Sequence, residues 1–206
     1  MKWTLPNILT TLRMLAAPGV AIMFLYFHRP WADWLALTLF VGAAITDYFD
    51  GYLARLWKQE SKFGAMLDPI ADKAMVVIAL VVITGFSGMN PWILLPATLI
   101  IFREVFVSGL REFLGATAKL LAVTKLAKWK TTAQMVAIAV LFFGTGLDFI
   151  ERGRGPTVGG LAPLSEGLAG WMTLLGIALL WVAAFLTLVT GWDYFSKSLP
   201  HLKDAE

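Results

Sequence analysis

An all-α integral membrane protein, with six transmembrane helices enclosing a polar cavity open to the cytoplasmic leaflet, is the fold class that three observations predict. Of the 206 residues, 58% are hydrophobic and only 15% are charged, a balance unlike that of soluble globular domains. The apolar residues form six stretches, each long enough to cross a hydrocarbon core of roughly 30 Å, separated by Pro, Gly and charge clusters. The charged residues gather at one end of successive stretches instead of being scattered along them.

The first helix is expected over 6–28. Lys2 ahead of an apolar run ending near Phe27 has the look of a signal peptide, but Arg13 and Pro18 interrupt the run and no small-x-small cleavage pattern follows. The helix is therefore read as retained. The second, over 32–58, follows the turn formers H-R-P-W and ends among Asp47, Asp50 and Arg55. The third, over 62–86, begins with Asp68, Asp72 and Lys73, and S-G-M-N-P turns the chain into the fourth, over 91–115, which ends among Arg103, Glu104 and Arg111. The fifth, over 125–148, opens among Lys125, Lys128 and Lys130. A long exposed connection over 148–166 precedes the sixth, over 167–195, which is uncharged from Gly167 to Trp192. Residues 1–206 thus read as one membrane domain.

If consecutive helices are antiparallel, these charged ends share one side of the membrane. Of the 17 Lys and Arg, only Arg29, Arg152 and Arg154 fall on the other side, so the charged side is expected to be cytoplasmic, with both termini there. The uncharged stretches 34–46 and 74–86 are too short to span alone, which places the charged portions below the headgroups, around a cavity.

Several chemistries are excluded. Zero cysteines rule out disulfides, thiolate metal sites and a Cys nucleophile, and two His make a His-based zinc site a poor reading. The net charge of +3, with basic residues beside apolar segments, suits anionic lipid and not nucleic acid. Nine Trp suit interfacial anchoring. G-R-G-P-T-V-G-G lacks the Lys-Ser or Lys-Thr of a phosphate-binding loop.

Four carboxylates remain. Asp47 and Asp50 are three residues apart, and Asp68 and Asp72 four apart, so each pair shares a helix face. Carboxylates in apolar segments are costly unless they bind something, and two such faces form an all-oxygen nest for Mg²⁺ or Mn²⁺. Gly51, Ala54 and Gly64 between the pairs allow close helix approach or leave backbone open to a bulky ligand. Arg55, Arg103, Arg111 and the three lysines nearby suit a phosphate-rich substrate bridged by metals and clamped by cations.

Written out, 47–72 is D-x2-D-G-x2-A-R-x8-G-x3-D-x3-D, which resembles the signature of the CDP-alcohol phosphatidyltransferases at every motif position. P-N-I-L-T-T-L-R, R-E-V-F-V-S-G-L-R-E and K-W-K-T-T-A-Q-M are similar to the bacterial phosphatidylglycerophosphate synthase branch of that family. The resemblance implies a six-helix homodimer in the cytoplasmic (inner) membrane that moves a phosphatidyl group from CDP-diacylglycerol to the C1 hydroxyl of glycerol 3-phosphate and releases CMP. It implies two divalent cations held by Asp47, Asp50, Asp68 and Asp72, with Asp72 also taking the hydroxyl proton. It implies CDP-diacylglycerol contacts at Asp50, Gly51, Ala54, Arg55, Ser61 and Gly64, with Asn7 and Thr10 beside them, although Ser61 alone reads as a helix cap. For the acceptor phosphate, Arg103, Arg111 and Lys128 are favoured from a set that includes Lys125 and Lys130. Glu104 is placed to orient Arg103.

Three other readings compete with this one. A sister enzyme would use serine, inositol phosphate or phosphatidylglycerol as acceptor. An ion channel or transporter is disfavoured because no acidic or broken segment reaches the opposite leaflet. A prenyltransferase would space its aspartates differently and lack G-x2-A-R.

Overall fold

The computed structural model describes residues 4–57, 61–115, 125–152 and 167–201, without the side chains of residues 48, 50–55, 125, 127, 128 and 152. Six long helices run in chain order: α1 (Leu5–Tyr26), α2 (Trp31–Leu56), α3 (Lys62–Phe86), α4 (Pro91–Leu114), α5 (Lys125–Arg152) and α6 (Gly167–Ser198). A short 3-10 turn, Leu199–His201, follows.

Local chemistry sets the helix ends. Proline stands in the first turn of α1 (Pro6) and of α4 (Pro91), where its missing N–H forfeits no helical bond. The Ser61 hydroxyl caps α3 by accepting from Gly64 N at 3.0 Å, and Asn90 Oδ1 caps α4 by accepting from Trp92 N at 2.9 Å. Gly88 and Met89, with φ of 66° and 60°, turn the chain between those two helices. Helix α5 continues past Asp148, so the expected loop is shorter at that end, and Ala169 N donates to Glu151 Oε1 at 3.3 Å across to α6. The rest of that connection, 153–166, lies outside the described residues.

Small residues bring the backbones together, as helices in lipid require. A Cβ on Gly176 would stand 2.7 Å from Leu141 Cγ, and one on Gly144 would stand 3.2 Å from Thr173 N, so α5 and α6 pack closely at both positions. Helix α1 lies against α2 and α3, α4 against α6, and α2 against α5. Phe24, Phe40, Phe142, Leu80 and Ile138 fill the centre, while Leu15, Leu25, Phe102, Phe113 and Phe185 face outward. An apolar exterior over a packed apolar interior suits lipid and not water.

Among the described residues, four stretches are long and apolar enough to cross a membrane: Leu5–Tyr26, Pro91–Leu114, Trp129–Glu151 and Gly167–His201. Six helices are therefore present, but only four qualify as membrane spans on length and composition. The two outside this set, α2 and α3, carry the four aspartates of the acidic signature, Asp47 and Asp50 on α2 and Asp68 and Asp72 on α3, and α2 also carries Asp33.

Candidate active site

Asn7, Thr10 and Arg13, at three-residue intervals, form one buried stripe of α1. The Ser61 hydroxyl donates to Asn7 Oδ1 at 2.7 Å, and the Thr10 hydroxyl donates to Asp68 Oδ1 at 2.9 Å. These bonds dock the start of α1 on the start of α3. Gly64 matters to that joint, because a Cβ there would stand 3.0 Å from Asn7 Oδ1. Ser61 is thus both the helix cap read from the sequence and a partner of Asn7.

Arg13 stands at the centre. Its Nη1 donates to Asp72 Oδ1 at 2.7 Å and also to Asp47 Oδ1, while Nη2 lies 3.9 Å from Asp68 Oδ1. The arginine side chain is 2% exposed, but those of Asp47, Asp68 and Asp72 are 43%, 45% and 38% exposed. Among the described side chains, one guanidinium therefore faces three carboxylates that open outward. Asp50 and the adjoining Gly51, Ala54 and Arg55 lie on the helical backbone of α2, but their side chains are outside those described. Among the described residues, no group of three acidic or histidine side chains is arranged to hold a metal as it stands. Two carboxylate oxygens nevertheless converge on one cationic atom, a donor set that suits a hard divalent ion.

A cavity of about 280 Å³ adjoins the cluster, with Asp72 and Lys73 on one wall and Arg103, Arg111 and Lys130 on another. Glu104, 9% exposed, accepts from Lys130 and lies 3.4 Å from Arg103 Nη1. Lys73 donates to Ser108, whose hydroxyl donates to Glu104 O at 2.6 Å. Arg103 is thinly partnered for a guanidinium whose side chain is 12% exposed: Thr190 Oγ1 is 3.4 Å from Nη2, and among the described residues Nε has no partner. Such a group is predisposed to take an anion.

The structure thus gathers Asn7, Thr10, Ser61, Asp47, Asp68 and Asp72 into one cluster and places Arg103 and Arg111 beside it. The Lys128 side chain is outside those described, while Lys130, in the available set but not favoured, reaches the cavity. Sequence reasoning assigned no site role to Arg13, Lys73 or the α6 residues Thr190 and Tyr194. For Arg13 a signal existed: a lone arginine in an apolar helix, in register with Asn7 and Thr10.

Comparison with known proteins finds relatives along nearly the whole chain. The family model described as CDP-alcohol phosphatidyltransferase matches residues 3–189. A protein of Cereibacter sphaeroides named CDP-diacylglycerol--glycerol-3-phosphate 3-phosphatidyltransferase is 69% identical, with 99% of each chain covered. Proteins of the same name from Salmonella choleraesuis and Escherichia coli are 38% and 37% identical, each over 99% of this chain and 100% of theirs. With the acidic signature of 47–72 lodged in the helical bundle and the match running almost end to end, this chain belongs to the CDP-alcohol phosphatidyltransferase family.

Proposed function

We propose that this protein transfers the phosphatidyl group of CDP-diacylglycerol to the C1 hydroxyl of sn-glycerol 3-phosphate, giving phosphatidylglycerophosphate and CMP. The names of its full-length relatives support the reaction. The observation that carries it to this chain is the position of Asp72, which bonds Arg13 within the acidic cluster and also lines the cation-walled cavity. A base that must meet both a metal-bound donor and a phosphorylated acceptor belongs at such a border.

Asp47, Asp50, Asp68 and Asp72 would hold two divalent cations, Mg²⁺ or Mn²⁺, which when bound supply charge neutralisation for the pyrophosphate and the departing CMP. Asn7, Thr10 and Ser61, with Gly51, Ala54, Arg55 and Gly64, would receive the nucleotide headgroup. Arg103, Arg111 and Lys128 would hold the acceptor phosphate, with Lys130 on the same cavity wall. Asp72 would then take the proton of the C1 hydroxyl as that oxygen bonds the phosphatidyl phosphorus and the bond from phosphorus to the CMP oxygen breaks. Fixed charges that hold acceptor and donor in line contribute by positioning as well as by electrostatics.

The reading places the enzyme as a homodimer in the cytoplasmic membrane, with the acidic end facing the cytoplasm, and the basic bias of that end supports the orientation. The test is CMP release by the purified protein from CDP-diacylglycerol and Mg²⁺ or Mn²⁺, with glycerol 3-phosphate, serine, inositol phosphate or phosphatidylglycerol as acceptor. Release with glycerol 3-phosphate alone is expected. Preference for another acceptor overturns the substrate assignment and leaves the family chemistry intact.

A further inference from the structure

Helix α6 is uncharged from Gly167 to Trp192 and reads from sequence as scaffold or dimer contact. Near its end, however, Thr190, Asp193 and Tyr194 line the cavity that holds Arg103, Arg111 and Lys130. Asp193 is occupied by Lys197, whose Nζ donates to it at 2.7 Å. Gly191 is the seat of Arg103: a Cβ there would stand 2.9 Å from Arg103 Cγ and 3.3 Å from Nε. The guanidinium therefore lies along α6 only because that position has no side chain. One turn on, the Tyr194 ring carries the Arg111 guanidinium at 6.0 Å from its centroid. Among the described residues, the buried Tyr194 hydroxyl has no hydrogen-bond partner, and the same holds for Arg103 Nε. A buried polar atom without a partner is costly and calls for a specific reason.

We infer that Tyr194 is a specificity-determining residue for the acceptor, its hydroxyl donating to an oxygen of the acceptor's phosphate between Arg103 and Arg111. The inference rests on the proposed reaction and deepens it by naming a contact from a helix that carries none of the signature. A phosphate offers several acceptor lone pairs, to which the two arginines bring charge. A phenolic hydroxyl adds direction, carried on a rigid ring that lies against Arg111. An acceptor lacking the phosphate leaves the hydroxyl unpaired, so the contact rejects such molecules as well as favouring the right one.

The test is Tyr194→Phe, which keeps the ring under Arg111 and removes only the hydroxyl. KM for glycerol 3-phosphate is expected to rise about ten-fold, with KM for CDP-diacylglycerol and kcat at saturation within about two-fold of wild type. The inhibition constant of inorganic phosphate, competing with glycerol 3-phosphate, should rise by a similar factor, while the thermal midpoint stays put. Gly191→Ala, which pushes Arg103 off its seat, should raise the same KM. An unchanged KM and an unchanged phosphate inhibition constant in Tyr194→Phe overturn the inference while leaving the proposed reaction standing. A wild-type protein that releases CMP only with a non-phosphorylated acceptor overturns both.

Discussion

The molecule carries two arginine–aspartate assemblies at opposite ends of the bundle, and they are built to different rules. At one end Arg29 meets Asp33 in a two-pronged pair, with Nε donating to Oδ2 at 2.7 Å and Nη2 reaching Oδ1. Nη2 also donates to Thr145 O at 3.0 Å, and the rings of Phe86 and Phe149 lie 5.9 Å and 5.3 Å from the guanidinium carbon. Asp33 has no exposed surface, and a Cβ on Gly146 would press its own Cβ at 3.3 Å. One positive charge meets one negative charge, the arginine side chain 12% exposed and the aspartate fully buried. At the other end Arg13 meets three carboxylates, each more than a third exposed. A matched and sealed pair joins helices, whereas an acidic excess that opens outward is ready for a further cation. Charge balance and access, more than the presence of an ion pair, separate scaffold from site.

This contrast breaks in a definite order under mutation. Asp72→Asn should lower kcat by a factor on the order of 10²–10⁴ with little change in thermal midpoint, read by CMP release and a melting curve. Retained turnover would remove Asp72 from the role of base. Asp33→Ala should do the reverse: stability falls by about 3–5 kcal/mol because Arg29 is left buried and unpaired, while kcat per folded molecule is unchanged. A loss of kcat without a loss of stability would place the sealed pair in the chemistry and end the comparison. Arg111→Ala should raise KM for glycerol 3-phosphate more than KM for CDP-diacylglycerol, and equal changes would deny that arginine to the acceptor. The smallest effect belongs to Lys197→Ala, which breaks an exposed pair with Asp193 and should shift stability by about 0.5 kcal/mol or less.

The elements that local chemistry governs were legible beforehand. Ser61 announced the start of α3, Pro91 that of α4, and the Asp pairs spaced by three and four marked which faces of α2 and α3 carry charge. What depends on how helices turn against one another was not legible. Lys128 and Lys130 are two residues apart, about 200° around a helix, so a reading without tertiary structure has no means of choosing between them. The fold turns Lys130 inward onto Glu104. In the sequence Arg13 is an interruption of an apolar run, and that it stands between Asp47 and Asp72 follows only from the docking of α1 on α3. For α6 the difficulty was greater still: an uncharged helix shows no polar face to mark its buried side, and Gly191 and Tyr194 gain meaning only from Arg103 and Arg111.

Because Asp72 both bonds Arg13 in the acidic cluster and lines the cation-walled cavity, the protein invites a tethered inhibitor. On the proposed reaction, a nucleotide diphosphate mimic for the acidic cluster, joined by a short linker to a phosphate or phosphonate for the arginine-walled cavity, would reach across Asp72. Each half would raise the effective concentration of the other, and the gain would vanish for linkers too short to bridge the carboxylate.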